Sequence, residues 1–331
     1  MQKTSILFVG NFLQRKAGAL PASGVVMDGL SDKVTIKKAS TINNRYLRLM
    51  DIVLKCSTLS YEFLHVDVFS GNSFLFARLA SWIASKRRKK IMLTLHGGAL
   101  HEFYVGREAQ FKKLFESAFL IRTPALFLQE FFAAKGFKVD YLPNPVSIER
   151  FPFNRSNVQK YSILWVRAFT EIYNPPVAVH ILAEVLKDFP QATLTMVGPD
   201  KGMKDQTMAL VNKLGLNARV QMVGAVPNHE LFQYYQRHEV FINTTSYESF
   251  GVALVEAASC GIPVVSNKVG EIPLLWKDEE DMLLVDNLDH AGMASAVKRL
   301  FRDENLARKL SLNAHAKAQS FSRRTQYLNL S

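Results

Sequence analysis

The chain has 331 residues, 48% hydrophobic and 21% charged, with two cysteines and a net charge of +12. That is enough for two globular domains with sizeable cores, and it argues against a disordered chain, a disulfide framework or a zinc site; no run approaches the roughly 18–20 apolar residues of a membrane span. The charge attracts phosphate-bearing substrates, anionic lipid and nucleic acid alike, and does not choose among them.

The opening, Met1-Gln2-Lys3-Thr4 before an apolar run ending at Gly10, reads as a strand and turn instead of a signal peptide, so a cytoplasmic location is expected. Short apolar runs at 5–9, 34–37, 66–69, 90–95, 120–122 and 139–142 predict strands, and the stretches 22–30, 45–58, 73–86, 108–116 and 124–135 predict helices between them. Such alternation is the pattern of a doubly wound parallel sheet. The cations peak at Lys86-Arg87-Arg88-Lys89-Lys90, directly after a helical run. Read plainly, this is a solvated helix end whose charges suit the dipole; the second reading is peripheral contact with an anionic membrane. Nucleic acid comes last, because no interleaved aromatic pattern accompanies the charge.

Around Pro143-Asn144-Pro145 and Phe151-Pro152-Phe153-Asn154 the periodicity gives way to turn residues, which predicts a boundary between domains at 1–150 and 151–318. Beyond it the alternation restarts, with strands predicted at 162–166, 192–197, 220–223, 240–243, 262–265 and 283–285. Helices are predicted at 175–187, 206–214, 229–237, 291–301 and 305–319. Cys56 and Cys260 both fall in helical contexts without metal-type neighbours, so both are expected to be small buried residues.

The most informative stretch runs from Tyr247 to Val265, where Glu248 and Glu256 stand on either side of Gly251. Gly251 frees the backbone where a helix begins, and a helix N-terminus offers unpaired N–H groups to an anion. Glu256 lies within that helix, on the order of 10 Å along the chain from Glu248 at about 1.5 Å rise per residue. Taken alone the pair reads equally as a solvated loop acid and a surface helix acid, or as two carboxylates suited to the two ends of an elongated ligand such as a nucleotide sugar. Strands on both sides place the loop at the carboxyl end of a parallel sheet, where ligands of such folds bind.

Two tandem doubly wound domains with Glu248-Ser249-Phe250-Gly251 and Glu256 resemble the GT-B glycosyltransferases, most closely the retaining family 4 group, also called glycosyl transferases group 1. Other pieces agree in order: Gly10-Asn11, His96-Gly97-Gly98, Pro143-Asn144-Pro145, Arg167, Gly198-Pro199-Asp200 and Gly270-Glu271-Ile272-Pro273. The resemblance implies two Rossmann-like domains facing across a cleft, with the donor against the second, the acceptor approaching from the first, and a tail at about 319–331 packing back on the first. It implies transfer of a sugar from a nucleoside diphosphate sugar to a glycan, glycolipid or other hydroxyl acceptor in cell-surface polysaccharide or glycoconjugate synthesis, with retention and without a metal. No Asp-x-Asp element occurs, in keeping with a phosphate site made of cations and amides.

Carried onto this chain, the resemblance makes Glu248, Arg167 and His96 catalytic. Glu256 accepts the ribose hydroxyls as an ionised carboxylate, and Ser249, Phe250, Gly251 and Val252 line the sugar and diphosphate. Gly10 and Asn11 are placed near the departing phosphate, although a plain turn explains Asn11 equally well. One departure stands out: the lysine that the family places five or six residues beyond the arginine is Ile172 or Tyr173 here. Lys201 is the expected substitute cation, beside the plain reading of a solvated turn lysine. Two other readings remain open, a nucleotide-sugar epimerase and a non-catalytic nucleotide-sugar binding protein.

Overall fold

The computed structural model describes residues 4–10, 34–40, 42, 44–97, 99–143, 146–287 and 289–322. The chain divides between Pro145 and Val146 into two compact units.

In the first unit, β1 (Ser5–Val9), β2 (Thr35–Ala39), α1 (Arg45–Thr58), β3 (Phe63–Val68), α2 (Asn72–Lys86) and β4 (Lys90–Leu95) are followed by α3 (Leu100–Tyr104), α4 (Glu108–Glu116), β5 (Leu120–Thr123), α5 (Leu126–Ala133) and β6 (Asp140–Tyr141). The six strands form one sheet in the order β2-β1-β3-β4-β5-β6, with every pairing parallel. Strands buried on both faces need near-continuous apolar runs, and β1 and β3 supply them. His65 and Asp67 are the polar exceptions in β3, both buried. Helix α1 starts where Asn44 caps it, its side chain accepting from the amides of Tyr46 and Leu47. The helix expected at 22–30 lies outside the described residues.

The second unit runs β7 (Gln159–Val166), α6 (Pro175–Val185), β8 (Thr193–Val197), α7 (Lys204–Lys213), β9 (Val220–Gly224), α8 (Leu231–Arg237), β10 (His238–Asn243) and α9 (Val252–Cys260). It continues with β11 (Val264–Asn267), α10 (Ile272–Leu275), β12 (Leu283–Val285), α11 (His290–Arg302) and α12 (Glu304–Ala318). Its sheet order is β12-β11-β10-β7-β8-β9, again all parallel. Sheet growth runs outward from β7 to β9 and then jumps back to β10 on the other side of β7. The gap between the ends of β7 and β10 is therefore the topological switch point, where open α/β sheets bind ligands. Helix α9 is buried along nearly its whole length, only Val252 at its start being exposed. Asp289 and Asp303 cap α11 and α12 on the amides of Gly292 and Leu306.

The expected strands and helices appear within a few residues of their predicted bounds wherever the chain is described. Two helices, Leu100–Tyr104 and Ile272–Leu275, were not expected, since one turn is too short to show a 3.6-residue period. Phe321, in the short 3₁₀ turn Gln319–Phe321, packs against Phe250 and Trp276 of the second unit, and its carbonyl accepts from the Val146 amide. Residues 323–331 of the expected returning tail lie outside the described residues.

Cys56 and Cys260 are free and buried, and burial pushes both thiols up to about 12. Arg87 of the basic cluster is used internally: its guanidinium donates to the carbonyls of Cys56 and Leu59, at 2.6 and 2.9 Å, closing the end of α1. No helix among the described residues is long and apolar enough to cross a membrane.

Candidate functional site

Arg167 leaves the end of β7 and Asn243 closes β10, so the switch point brings their side chains together. The Arg167 Nε donates to Asn243 Oδ1 at 3.2 Å, and its Nη2 to Glu248 Oε2 at 2.9 Å. The Tyr173 ring lies 5.2 Å from the guanidinium carbon. Two of the five N–H groups are thereby engaged, and the ring steadies the plane. Tyr173 is one of the two positions where the resemblance implied a lysine. At that position the chain supplies an aromatic face to the guanidinium.

Glycines hold both charged residues from behind. A Cβ on Gly198 would fall 1.8 Å from the Arg167 carbonyl oxygen, and one on Gly270 would fall 2.0 Å from that of Glu248. Gly270 also has φ 55°, a left-handed conformation that any side chain would strain. Next to it, the Glu271 amide donates to the Glu248 carbonyl at 3.0 Å. The loop before Glu248 is tied to the one after Arg167, because the Thr244 hydroxyl donates to the Tyr173 carbonyl and the Ser246 amide to that of Ile172. The Trp165 indole N–H in turn donates to Thr244 at 2.9 Å.

Glu248 is inward-facing, its side chain 15% exposed. Its second oxygen accepts from the amides of Ser249 and Phe250, at 3.2 and 3.4 Å. The Phe250 amide, expected to face a sugar or diphosphate, is thus turned toward Glu248. The Phe250 ring is buried, while Ser249 and Val252 are exposed. Gly251, at φ 81°, opens α9, and no side chain caps that N-terminus.

Glu256 lies one level deeper. Its Oε2 accepts the buried Tyr235 hydroxyl at 3.1 Å. Burial raises its pKa to about 7, against the pull of the Tyr235 hydroxyl, the Arg167 charge and an Asn228 hydrogen bond. The carboxyl group expected to stand fully ionised therefore holds its proton well above the usual carboxylate range in the free chain. Tyr235 is itself pushed well up, first by burial and then by the Glu256 charge.

Lys201 is exposed; its backbone N–H donates to the Phe169 carbonyl at 3.1 Å, and Phe169 bridges to Asp200. Its chain segment is thus fastened to the turn that follows Arg167.

His96 and Gly10 belong to the first unit. The His96 Nε2 meets Asp67 Oδ1 at 3.1 Å, and its ring stacks on Phe69 at 5.0 Å. Behind them His65, held neutral by burial that lowers its pKa to about 4, bonds Thr94 at 2.7 Å. Asp67 and Gly10 line one small pocket with Ser40 and Arg48. Gly97 is described at φ 92°; Gly98 and Asn11 lie outside the described residues.

Asn243, Tyr235 and Asp67 are not singled out by the sequence, and Tyr173 stands out there only as the place of a missing lysine. Asp67 offered a signal, being a charge within an apolar strand run; the others carry no local pattern.

The sequence profile of the family described as glycosyl transferases group 1 matches residues 147–317, more than half of the chain. The chain belongs to this family. The match contains Arg167, Lys201, Glu248 and Glu256. D-inositol 3-phosphate glycosyltransferase of Acidothermus cellulolyticus is 33% identical over 167 residues, 48% of this chain and 37% of that relative. The same-named protein of Corynebacterium efficiens is 30% identical over 153 residues, 45% of this chain and 36% of its own length. These alignments thus span well under half of the relatives they match. Among solved structures, Anabaena Alr3699/HepE in complex with UDP superposes with a TM-score of 0.78, at 16% identity, over 99% of this chain and 98% of that one. Sucrose-phosphate synthase from Thermosynechococcus elongatus gives 0.74, at 19% identity, over 99% of this chain and 97% of that one. The fold is that of GT-B glycosyltransferases, with a parallel six-stranded sheet in each unit.

Proposed function

We propose that this protein transfers a sugar from a nucleoside diphosphate sugar to a hydroxyl group of a glycan or lipid-linked acceptor, with retention of anomeric configuration. One observation carries the reading: at the switch point of the second unit, Arg167 and Glu248 meet beside the uncapped N-terminus of α9. A departing nucleoside diphosphate gains negative charge, and a fixed guanidinium with oriented amides stabilises charge where it develops. In this reading the diphosphate takes Arg167 and the α9 N-terminus, displacing part of the Glu248 pairing. Glu248 then turns to the sugar hydroxyls, and Ser249, Phe250, Gly251 and Val252 line the sugar and diphosphate.

Glu256 receives the ribose hydroxyls. Two hydroxyl donors favour its charged form, so donor binding draws its proton off. Lys201 serves as the second cation, and Gly10 and His96 serve the first unit's share of the reaction. The acceptor attacks on the face from which the phosphate leaves, and a phosphate oxygen takes its proton. Charge neutralisation falls to these side chains and amides instead of a metal.

The relatives' names support a sugar-transfer reading, and the HepE structures hold UDP or UDP-glucose. The test is a panel of uridine, guanosine and adenosine diphosphate sugars with mixed hydroxyl acceptors, scored by nucleoside diphosphate release. Proton NMR of the product reads the anomeric configuration, and a chelator arm reads metal dependence. Turnover that needs an acceptor, keeps the configuration and survives chelation supports the whole reading. Conversion of donor alone to an isomer points to an epimerase, and binding without turnover points to a non-catalytic protein.

A further inference from the structure

Strand register lines up a polar row on one face of the first sheet. Asp67 of β3, Thr94 of β4, Arg122 of β5 and Asp140 of β6 are successive register partners and share that face, with His65 two residues before Asp67 and His96 two residues after Thr94. Most of the row is satisfied internally: His96 meets Asp67 at 3.1 Å, and His65, kept neutral by burial, bonds Thr94 at 2.7 Å. Arg122 is different. It is 8% exposed, its one hydrogen bond among the described residues runs from Nη2 to the Met92 sulfur at 3.4 Å, its Nε–H is buried without a partner, and it forms no ion pair among those residues. Burial lowers its pKa against the pull of Asp140 on the next strand. A guanidinium does not give up its proton in proteins, so the charge stays, and a buried cation without a counter-charge is destabilising.

We propose that the Arg122 guanidinium is an oxyanion site of the first unit, taking a phosphate or carboxylate group carried by the acceptor. Its planar fork matches such groups bidentately, and Nε and Nη1 are unclaimed among the described residues. The surroundings on this face are open in part: Phe63, Met92, Thr94 and Leu120 are half-buried, and so is Asp140, whose charge water screens. Apolar walls with one convergent cation suit a ligand that has CH faces and a single charged substituent. Arg122 and His96 stand one strand and two residues apart, roughly 8 Å at the backbone for about 3.3 Å of rise per residue and about 4.8 Å between strands. One sugar ring with a charged substituent covers that span, so an anion on Arg122 places a ring hydroxyl near His96. Naming the acceptor as carrier rests on the proposed sugar transfer; the oxyanion site itself does not. Free phosphate offers the same oxygens, and the experiment separates the two sources.

The test is isothermal titration of glucose 6-phosphate, glucuronate, inorganic phosphate and glucose into the full chain at constant ionic strength. The parent is expected to bind at least one of the two charged sugars at least about tenfold more tightly than glucose or inorganic phosphate, and Arg122→Met to lose at least about tenfold of that affinity. Arg167→Ala is expected to keep it, which separates this site from the donor's phosphate site and leaves the result independent of whether sugar is transferred. Arg122→Met should melt no lower than the parent, because an apolar chain of similar length relieves an unpaired buried charge. Arg122→Lys keeps the charge without the planar fork and is expected to bind several-fold more weakly than the parent, which keeps the test alive if Arg122→Met fails to fold. Equal affinity of the parent for glucose and both charged sugars overturns the proposal, as does parent-like binding by folded variants at this position, the mark of a structural arginine. Inorganic phosphate bound as tightly as the charged sugars overturns the acceptor as carrier.

Discussion

In the second unit the charged side chains are held from several directions at once: Gly198 and Gly270 press against the backbones of Arg167 and Glu248, while Asn243 and Tyr173 fix the guanidinium. In the first unit His96 has Asp67 and the Phe69 ring, and the neighbouring helix face exposes leucine and methionine instead of charge. Ribose and diphosphate are common to every candidate donor, so a site for them repays rigid, over-determined placement. Acceptors and surfaces vary, and the elements that would meet them are built from apolar area and net charge, which need no fixed geometry. The contrast predicts that single substitutions act sharply in the second unit and mildly in the first.

The largest effect is expected from Arg167→Ala, which removes the fixed cation and leaves Glu248 only its backbone amide donors. Turnover should fall about 10²–10³-fold, in line with about 2.7–4 kcal/mol for one transition-state donor. Circular dichroism should show the fold retained; a loss below tenfold would break the contrast. Next is Gly270→Ala, which forces a left-handed backbone and a clash with the Glu248 carbonyl. It should cost about 2–4 kcal/mol of stability by thermal melting and lower turnover as well. An unchanged melt would mean that the Glu248 loop is not held from behind.

Glu256→Gln should weaken nucleotide binding about 10–100-fold by calorimetry. It also sharpens a pH test. A carboxyl group raised from 4.5 to about 7 holds its proton more tightly in the folded chain, so its contribution to stability is full below pH 4.5 and is lost as pH rises through about 7. The parent protein should therefore lose about 1–3 kcal/mol relative to Glu256→Gln between those pH values. Donor affinity should move oppositely, rising with pH through about 7 in the parent and staying flat in the variant. Lys201→Ala is expected to cost about tenfold in turnover with little change in stability; unchanged turnover would remove Lys201 from the phosphate site. Smallest is Asp67→Asn, which loosens His96 and should lower kcat/KM by no more than about tenfold. A loss as deep as that of Arg167→Ala would place the two units on equal terms.

The legible parts of the sequence were those in which one backbone requirement selects one residue type. Gly251, Gly198 and Gly270 mark sharp turns beside charged groups, and their order along the chain exposed the fold together with Arg167, Glu248 and Glu256. What escaped depends on spatial neighbours far apart in sequence. Asn243 reaches Arg167 across the switch point, Tyr235 reaches Glu256 from another helix, and Tyr173 became meaningful only once its ring lay over the guanidinium. The raised pKa of Glu256 was invisible for the same reason, because burial is a property of the assembled unit. Helix α1 was correctly bounded by its period, yet period alone does not say which face the sheet covers. That Leu47, Met50 and Leu54 are exposed is therefore seen only in the folded unit.

The central claim is that the switch point of the second unit holds a nucleoside diphosphate through Arg167 and Glu256. Isothermal titration of UDP, GDP and ADP into the parent chain, Arg167→Ala and Glu256→Gln tests it most directly. The account predicts that at least one diphosphate binds the parent and that each substitution weakens it at least about tenfold. Equal binding to all three proteins, or no binding of any diphosphate to the parent, would contradict it.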